Sequence, residues 1–364
     1  MKTTIVHDYL TQRGGAERVV LEMARAYSSD VVLTSVYDPE RTYPQFSDMQ
    51  VSTLPLNRVP LLRQDPRLAL PFLSDSFSHH RITDADLVLV SSSGFAHQVT
   101  ADAPKIVYCH NPPRWLHQTA DYLKGSGPLV KLAIAMLRPH LTTLDRRGAL
   151  SADGYIANSR NVANRIRRVY GIEAQVVHPP RGLEPFGPEE PVPGLDAGFL
   201  VTVGRARGYK RTDLLMSAVA GMPDQRLVVV GGRSDEPWPD NIVQLTNVSD
   251  AQLRWLYKNA AGLLACSWED FGLTPVEAFG FGTPVGAIQE GGYLETCVDG
   301  LTGTWLDATT DDSLRASIRR LLSGTWDRAA IRRHGAQWSP AAFHRQLIGT
   351  VDDVLGHRSA TKAA

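Results

Sequence analysis

Two glutamates with seven residues between them, Glu269 and Glu277, are the side chains best placed to do chemistry. The short apolar stretch Gly262–Cys266 just upstream is typical of a buried parallel strand. Thr274-Pro275 is typical of a helix start, because proline at the first helical position leaves no donor unpaired. Both carboxylates are therefore predicted at the carboxyl edge of a parallel sheet, where α/β proteins bind ligands.

Each glutamate also has a non-functional interpretation. Thr274-x-x-Glu277 matches a capping box, in which the glutamate only satisfies a backbone N–H at the helix start. Glu269 has no such local role, but solvated loop glutamates are common. The rest of the chain has to decide between these interpretations.

Length and composition indicate a globular enzyme of two domains. A chain of 364 residues exceeds one hydrophobic core. Lysine plus arginine equals aspartate plus glutamate at 38 each, which argues against a nucleic-acid partner. The first half is slightly basic, which would suit an anionic acceptor or a membrane surface. Three cysteines form no CxxC pair and suit a reducing compartment. With no signal segment and no apolar run of about 18 residues, a cytoplasmic location is predicted.

Short apolar strands alternate with helices along the whole chain, which predicts parallel sheets covered on both faces. The expected caps are Asn158-Ser159 at the start and Gly171 at the end of one helix, and Ser249 at the start of another. The stretch 178–193 holds six prolines and two glycines and is predicted as a linker. The expected architecture is α/β, with two Rossmann-like domains facing across a cleft. The predicted boundaries are 1–180 for the first domain, 181–198 for the linker, 199–340 for the second domain, and 341–364 for a C-terminal helix packing back on the first.

Glycines and cations at strand ends indicate an anion site. Arg205 and Lys210 follow the strand ending at Gly204 and precede a helix, a combination suited to a diphosphate; the alternative is a solvated basic loop. The pairs Gly14-Gly15 and Gly291-Gly292 could offer backbone N–H donors or be plain turns.

The standard dinucleotide-binding motifs are absent from the sequence, and the one metal-binding motif lies at the wrong edge of its sheet. No G-x-G-x-x-G follows a strand and no Walker A motif occurs, so an NAD-dependent oxidoreductase is disfavoured. Asp84-Ala-Asp86 is similar to a metal-binding D-x-D, but it precedes its strand and so lies at the edge of the sheet away from ligands.

The order Gly204-Arg205, Lys210, Glu269-x7-Glu277, Gly291-Gly292 resembles the donor half of family 4 glycosyltransferases, which have the GT-B fold and retain anomeric configuration. The first half resembles bacterial polysaccharide mannosyltransferases, on the motifs Gly14-Gly-Ala-Glu-Arg18, Tyr108-Cys-His-Asn-Pro-Pro-Arg-Trp115 and Ile156-Ala-Asn-Ser159. In that subgroup the histidine is usually followed by Thr-Pro, and here Asn111-Pro112 follows it. That difference leaves the acceptor open.

The resemblance implies a role for each matched residue. Arg205 and Lys210 would hold the leaving diphosphate, Glu277 the ribose hydroxyls, and Glu269 the donor sugar. His110 would lie beside the reacting sugar, although a histidine that ends an apolar strand is often purely structural. The remaining donor-binding positions would be the glycines Gly14, Gly15, Gly204, Gly291 and Gly292 and the loop residues Phe271, Gly272 and Leu273.

The implied function is a retaining, metal-independent hexosyltransferase, with mannose from GDP-mannose as the expected donor. The acceptor would be a glycan, a lipid-linked molecule or a natural product. Other nucleotide hexoses such as GDP- or UDP-glucose, a sugar-nucleotide epimerase and a non-catalytic sugar-nucleotide-binding protein stay open. Residues 58–73 mix leucines with three arginines and predict an acceptor loop or a weak peripheral membrane contact.

Overall fold

The computed structural model describes residues 1–64, 70–119, 127–204, 211–232 and 237–363. It divides into two compact units: residues 1–179 with 343–364, and residues 180–342. Among the helices described, none combines the length and apolarity needed to cross a membrane.

The first unit is built on a parallel sheet with strand order β3-β2-β1-β5-β7-β8-β9. Its strands are β1 (Thr3–His7), β2 (Val31–Thr34), β3 (Gln50–Thr53), β5 (Leu87–Ser92), β7 (Lys105–Cys109), β8 (Gly154–Ala157) and β9 (Gln175–Val176). A separate parallel pair joins β4 (Arg81–Ile82) to β6 (Thr100–Ala101). Chain order reverses direction between β1 and β5, so the switch point of this sheet lies there.

Helices flank that sheet. They are α1 (Gly15–Tyr27), α2 (Pro60–Gln64), α3 (Leu70–Ser78), α4 (Arg114–His117), α5 (Pro128–Leu150) and α6 (Arg160–Tyr170), with 3₁₀ turns at Pro44–Asp48, Pro55–Arg58 and Ala96–Gln98. The predicted caps of α6 are confirmed: the Ser159 hydroxyl accepts from the Val162 N–H, and Gly171 ends the helix at a φ of 77°. The predicted acceptor segment contributes α2 and α3, and its residues 65–69 lie outside the described part.

The second unit repeats the plan with strand order β12-β11-β10-β13-β14-β15, all parallel. Its strands are β10 (Leu200–Val203), β11 (Leu227–Val230), β12 (Ile242–Leu245), β13 (Gly262–Ala265), β14 (Val285–Ile288) and β15 (Gly303–Leu306). The switch point of this sheet is between β10 and β13. In both units the central strands are buried, which explains the apolar runs seen in the sequence, whereas the edge strand β3 is largely exposed.

The helices of the second unit are α7 (Thr212–Ala220), α8 (Asp250–Asn259), α9 (Leu273–Phe281), α10 (Tyr293–Thr296), α11 (Asp311–Ser323) and α12 (Arg328–Gly335), with a 3₁₀ turn at Ala336–Trp338. Ser249 caps α8 through a full capping box with Gln252, as predicted. Residues of the proline-rich stretch 178–193 form no helix or strand.

The final helix, α13 (Pro340–Ala363), belongs to the first unit from Phe343 onward. Phe343, Leu347 and Val351 are buried in one apolar cluster with β1 and α1. The Phe343 ring meets Tyr108 edge-on at 5.9 Å between centroids. Burying this apolar stripe is what holds the C-terminal helix on the first sheet.

Candidate functional site

In the second unit, the predicted donor loops share one sheet edge, at the switch point. Gly204 directly follows β10, and its N–H donates to Val230 O at 2.9 Å. Arg205 and Lys210 lie outside the described residues. Arg211, which follows them, adopts a φ of 48° at the start of α7, and its Nη1 is 3.8 Å from Glu290 Oε2 in the loop after β14. Both ends of the predicted diphosphate loop are therefore attached to this edge.

The loop of Glu269 packs directly on the glycine pair after β14. The Gly292 N–H donates to Glu269 O at 2.9 Å. A Cβ at Gly292 would lie 2.2 Å from Phe271 Cα, and one at Gly291 would lie 2.3 Å from Glu269 O. These glycines are thus required for close backbone approach between the two loops. The Gly292 N–H, which the resemblance assigned to the donor, serves this contact.

The capping-box interpretation of Glu277 is wrong. Helix α9 starts at Leu273 with Gly272 as its N-cap, and no side chain caps it. Glu277 Oε2 instead accepts a hydrogen bond of 2.8 Å from the Tyr257 hydroxyl. Burial, followed by the charge of Glu277, raises the pKa of Tyr257 well above 10, so the phenol keeps its proton and donates it. Glu277 is therefore bonded to a helix outside its own, and its carboxylate is not used to cap α9.

Position 272 must be a glycine for two reasons, its backbone conformation and the closeness of its neighbours. Its φ is 88°, and a Cβ there would lie 2.5 Å from the Tyr293 ring. That ring is fully buried, and its hydroxyl is 2.7 Å from Ser267 Oγ. Gly272 therefore lets Tyr293 pack under the loop that carries Glu269 and Phe271.

Gly272→Ala is expected to lower the free energy of unfolding of the second unit by about 2–4 kcal/mol, because it combines a strained φ with overpacking. Thermal melting measures this. Gly349→Ala is the matched control: that helical glycine has no neighbour within 4 Å of a new Cβ. It should be neutral or stabilise by about 0.5–1 kcal/mol. Equal melting temperatures for the two variants would contradict the packing argument.

In the first unit, His110 and the Gly14-Gly15 turn are joined through residues that the sequence analysis missed. Gly15 opens α1, and Glu17 in its first turn faces His7 at the end of β1. His7 contacts Ser91 on the neighbouring strand, and Ser91 Oγ lies 2.8 Å from His110 Nε2. The ligand-edge rule that singled out Glu269 applies equally to the ends of β1 and β5 and could have found His7 and Ser91.

The backbone around His110 is held on both sides. Its N–H donates to Ser92 O at 2.8 Å, and its carbonyl accepts from Asn158 Nδ2 at 3.1 Å. Its ring meets Tyr108 edge-on at 5.2 Å. Burial and the charge of nearby His7 lower the pKa of His110 to about 3, so this ring is neutral near pH 7.

Asp8 fixes the switch point of the first sheet. This buried carboxylate accepts backbone hydrogen bonds from Ser93, Gly94 and Ala96 at 2.6–2.9 Å. It thereby attaches the end of β1 to the loop after β5 and holds His7 beside Ser91.

The D-x-D carboxylates lie at the opposite, amino edge. The Lys2 N–H donates to Asp86 Oδ2 at 2.7 Å, and the Lys2 ammonium pairs with Asp84. Within the described part of the chain, no group of three or more His, Cys, Asp or Glu side chains is arranged to hold a metal ion.

Family models match both units. A model described as Glycosyltransferase Family 4 matches residues 13–185, and one described as Glycosyl transferases group 1 matches residues 189–338. The chain is 33% identical over 217 residues to a D-inositol 3-phosphate glycosyltransferase of Mycobacterium sp. (strain JLS), covering 52% of this chain and 49% of that protein. The chain thus spans about half the length of the curated relatives it matches.

Two solved structures share the fold over nearly the whole chain. Sucrose-phosphate synthase from Thermosynechococcus elongatus superposes with a TM-score of 0.70 at 18% identity, covering 98% of this chain and all of that one. The Anabaena protein Alr3699/HepE, solved in complex with UDP-glucose, superposes with a TM-score of 0.65 at 16% identity, covering 97% and 100%. With two Rossmann-like sheets and both family models matched, this chain belongs to the family 4 glycosyltransferases of the GT-B fold.

Proposed function

We propose that the chain is a retaining hexosyltransferase that takes mannose from GDP-mannose and places it on a hydroxyl of a glycan, lipid-linked or natural-product acceptor. A nucleotide sugar is a donor that the family supports, and the mannosyl choice comes from the motifs of the first half. The structure of Alr3699/HepE with UDP-glucose makes UDP-glucose the second candidate donor.

One observation carries this proposal. Gly204 and the Glu269 loop follow β10 and β13, the two strands of the switch point, and Arg211 is 3.8 Å from Glu290 in the loop after β14, which is bonded to the Glu269 loop. Ligands of open α/β sheets bind at such a point. Arg205 and Lys210 stand in the sequence between Gly204 and Arg211, and we assign them to the diphosphate, which would also meet the start of α7.

The chemistry follows from that arrangement. The acceptor hydroxyl oxygen bonds to the anomeric carbon as the bond from that carbon to the phosphate oxygen breaks. The hydroxyl proton passes to the departing phosphate, which leaves as the nucleoside diphosphate. Negative charge grows on this phosphate in the transition state, and preorganised cations stabilise it. Front-face attack retains configuration without a covalent intermediate; a transient enzyme nucleophile is the alternative route.

Transfer is expected to survive removal of divalent metal, because Arg205 and Lys210 supply the positive charge that a metal would otherwise provide. Initial rates measured with and without EDTA should agree within about twofold, a difference of less than 1 kcal/mol in activation free energy. Complete loss, restored by magnesium or manganese, would contradict this and would direct attention to the carboxylates Asp84 and Asp86.

The acceptor is assigned to the first unit. Residues Val59, Leu61 and Phe72 of the predicted acceptor segment are exposed, although large apolar side chains usually bury. We assign this segment to acceptor binding, with a weak contact to a membrane when the acceptor is lipid-linked.

A panel of nucleotide sugars tests the proposal. GDP-mannose, GDP-glucose, UDP-glucose, ADP-glucose and dTDP-glucose are each added to the protein, and thermal melting is followed. A donor at 100 times its dissociation constant should stabilise the folded protein by about 2.7 kcal/mol. GDP-mannose should give the largest shift. A panel with no shift at all would overturn the nucleotide-sugar assignment.

Incubating the best donor alone separates the other classes of protein. A transferase releases nucleoside diphosphate slowly without acceptor and quickly with one. A sugar-nucleotide epimerase would yield the epimeric donor, and a non-catalytic binding protein would leave the donor intact in both cases.

A further inference from the structure

A buried chain of four side chains ends on His110. Glu17 Oε1 lies 3.9 Å from His7 Nε2, an ion-pair distance. His7 Nδ1 lies 3.1 Å from Ser91 O and 3.0 Å from Ser91 Oγ. Ser91 Oγ in turn lies 2.8 Å from His110 Nε2. Because His7 and Ser91 are direct partners across β1 and β5, the sheet itself sets this geometry.

The hydrogen-bond partners of His7 and Ser91 determine which nitrogen of each histidine carries a proton. A carbonyl oxygen only accepts, so His7 Nδ1 must carry a hydrogen to bond with Ser91 O. Ser91 Oγ then accepts from that same N–H, so among the described residues its own hydrogen is directed to its other partner, His110 Nε2. His110 Nε2 is therefore the acceptor, and a neutral His110 carries its proton on Nδ1.

The negative charge in this series of four side chains comes from Glu17, at the end opposite His110. Glu17 and His7 are each 1% exposed. Burial alone would lower the pKa of His7, but the interaction with Glu17, together with the charge of Asp8, outweighs burial and raises that pKa. Gly14 makes room for this carboxylate, since a Cβ there would lie 2.5 Å from Glu17 Oε2.

A buried ion pair is costly to form and is weak evidence for stability alone. Here the ion pair orients a single N–H donor, the Nδ1–H of the partly exposed His110 ring. Nδ1 of His110 makes no hydrogen bond to any of the described residues, and it is not a buried atom left without a partner.

We propose that Glu17, His7 and Ser91 are positioning residues that hold His110 as the neutral tautomer protonated on Nδ1. His110 then acts on the donor as a hydrogen-bond donor, and neither as a general base nor as a cation. This rests on the proposed transferase function for its role in turnover, whereas the tautomer itself is a property of the protein without substrate.

The tautomer is read by long-range ¹H–¹⁵N spectra of the full chain labelled with ¹⁵N-histidine. His110 is assigned by comparison with His110→Gln. The wild-type protein near pH 7 should show a bare Nε2 and a protonated Nδ1 at His110, and a protonated Nδ1 at His7. In Ser91→Ala, His110 should move toward the tautomer protonated on Nε2. In Glu17→Gln, the pKa of His7 should fall, because the carboxylate that raises it is removed.

Ser92→Ala is the matched control. Ser92 is the next residue of β5, is also buried, and its Oγ contacts a different histidine, His97, at 3.3 Å. This variant also loses a buried serine–histidine contact, but on the opposite face of the strand. It should leave the His110 spectrum unchanged, and melting curves confirm that each variant is folded.

Initial rates complete the test. Ser91→Ala should lower kcat about tenfold with unchanged affinity for nucleoside diphosphate, the size expected for one hydrogen bond. Ser92→Ala should keep the wild-type kcat. A wild-type His110 protonated on Nε2, or equal losses in both serine variants, would overturn the proposal. The predicted tautomer in a protein that transfers no sugar would overturn only the transferase function.

Discussion

Arg205→Ala and Lys210→Ala are each expected to lower kcat by roughly 10²–10³-fold, the loss found on removing a single oxyanion-hole donor. The charge these side chains meet grows only as the sugar–phosphate bond breaks, so they stabilise the transition state more than the bound donor. Steady-state kinetics with saturating acceptor measure the effect, and kcat and kcat/KM should fall together.

Arg207→Ala is the control from the same basic loop. If the loop were only a solvated basic surface, the three variants would behave alike, with small effects that depend on salt. The proposal instead requires Arg207→Ala to stay near the wild-type rate. A rise in the donor KM alone for Arg205→Ala or Lys210→Ala would show uniform binding and would contradict a transition-state role.

Glu277→Gln is expected to weaken binding of the nucleoside diphosphate about tenfold or more. Tyr257 already occupies one acceptor position of this carboxylate. A glutamine carries one carbonyl oxygen, so it can accept from Tyr257 or from a ribose hydroxyl but is a poorer partner for both. Hydrogen bonds to charged groups are worth roughly 1.5–3 kcal/mol, which corresponds to the expected loss. Isothermal calorimetry with the free nucleoside diphosphate measures it.

Glu269→Gln should differ, because Glu269 is assigned to the sugar and not to the nucleoside. It should keep wild-type affinity for nucleoside diphosphate and lose turnover. Glu189→Gln is the control in the same unit, since Glu189 forms a surface ion pair with Lys258. Such pairs contribute little, so this variant should be silent. Wild-type nucleotide affinity in Glu277→Gln, or full turnover in Glu269→Gln, would contradict the site assignment.

Local patterns were enough to predict the repeated strand–helix plan. The central strands of both sheets appear in the sequence as short apolar runs because they are buried on both faces, and such burial leaves a mark in each segment by itself. Ser159, Gly171 and Ser249 were predicted as caps for the same reason: a cap acts on backbone atoms within a few residues.

The capping-box pattern gave the wrong helix start at Glu277, because that start depends on a residue distant in the sequence. Thr274-x-x-Glu277 satisfies the capping-box pattern, which would start the helix at Pro275. Helix α9 instead starts two residues earlier, at Leu273, where Gly272 adopts a positive φ above the Tyr293 ring. That packing partner is more than twenty residues away in sequence, so no local rule includes it.

The sequence by itself therefore determined the fold class, the family resemblance and the edge of each sheet at which ligands would bind, because these depend on periodicity and on residues near strand ends. Only the tertiary structure decided the partners of the site residues. The contacts of Glu277 with Tyr257, of Gly292 with Glu269, and of His110 with Ser91 and His7 join separate strands and helices. Hydrogen bonds of this kind depend on strand order and register, which place distant residues side by side.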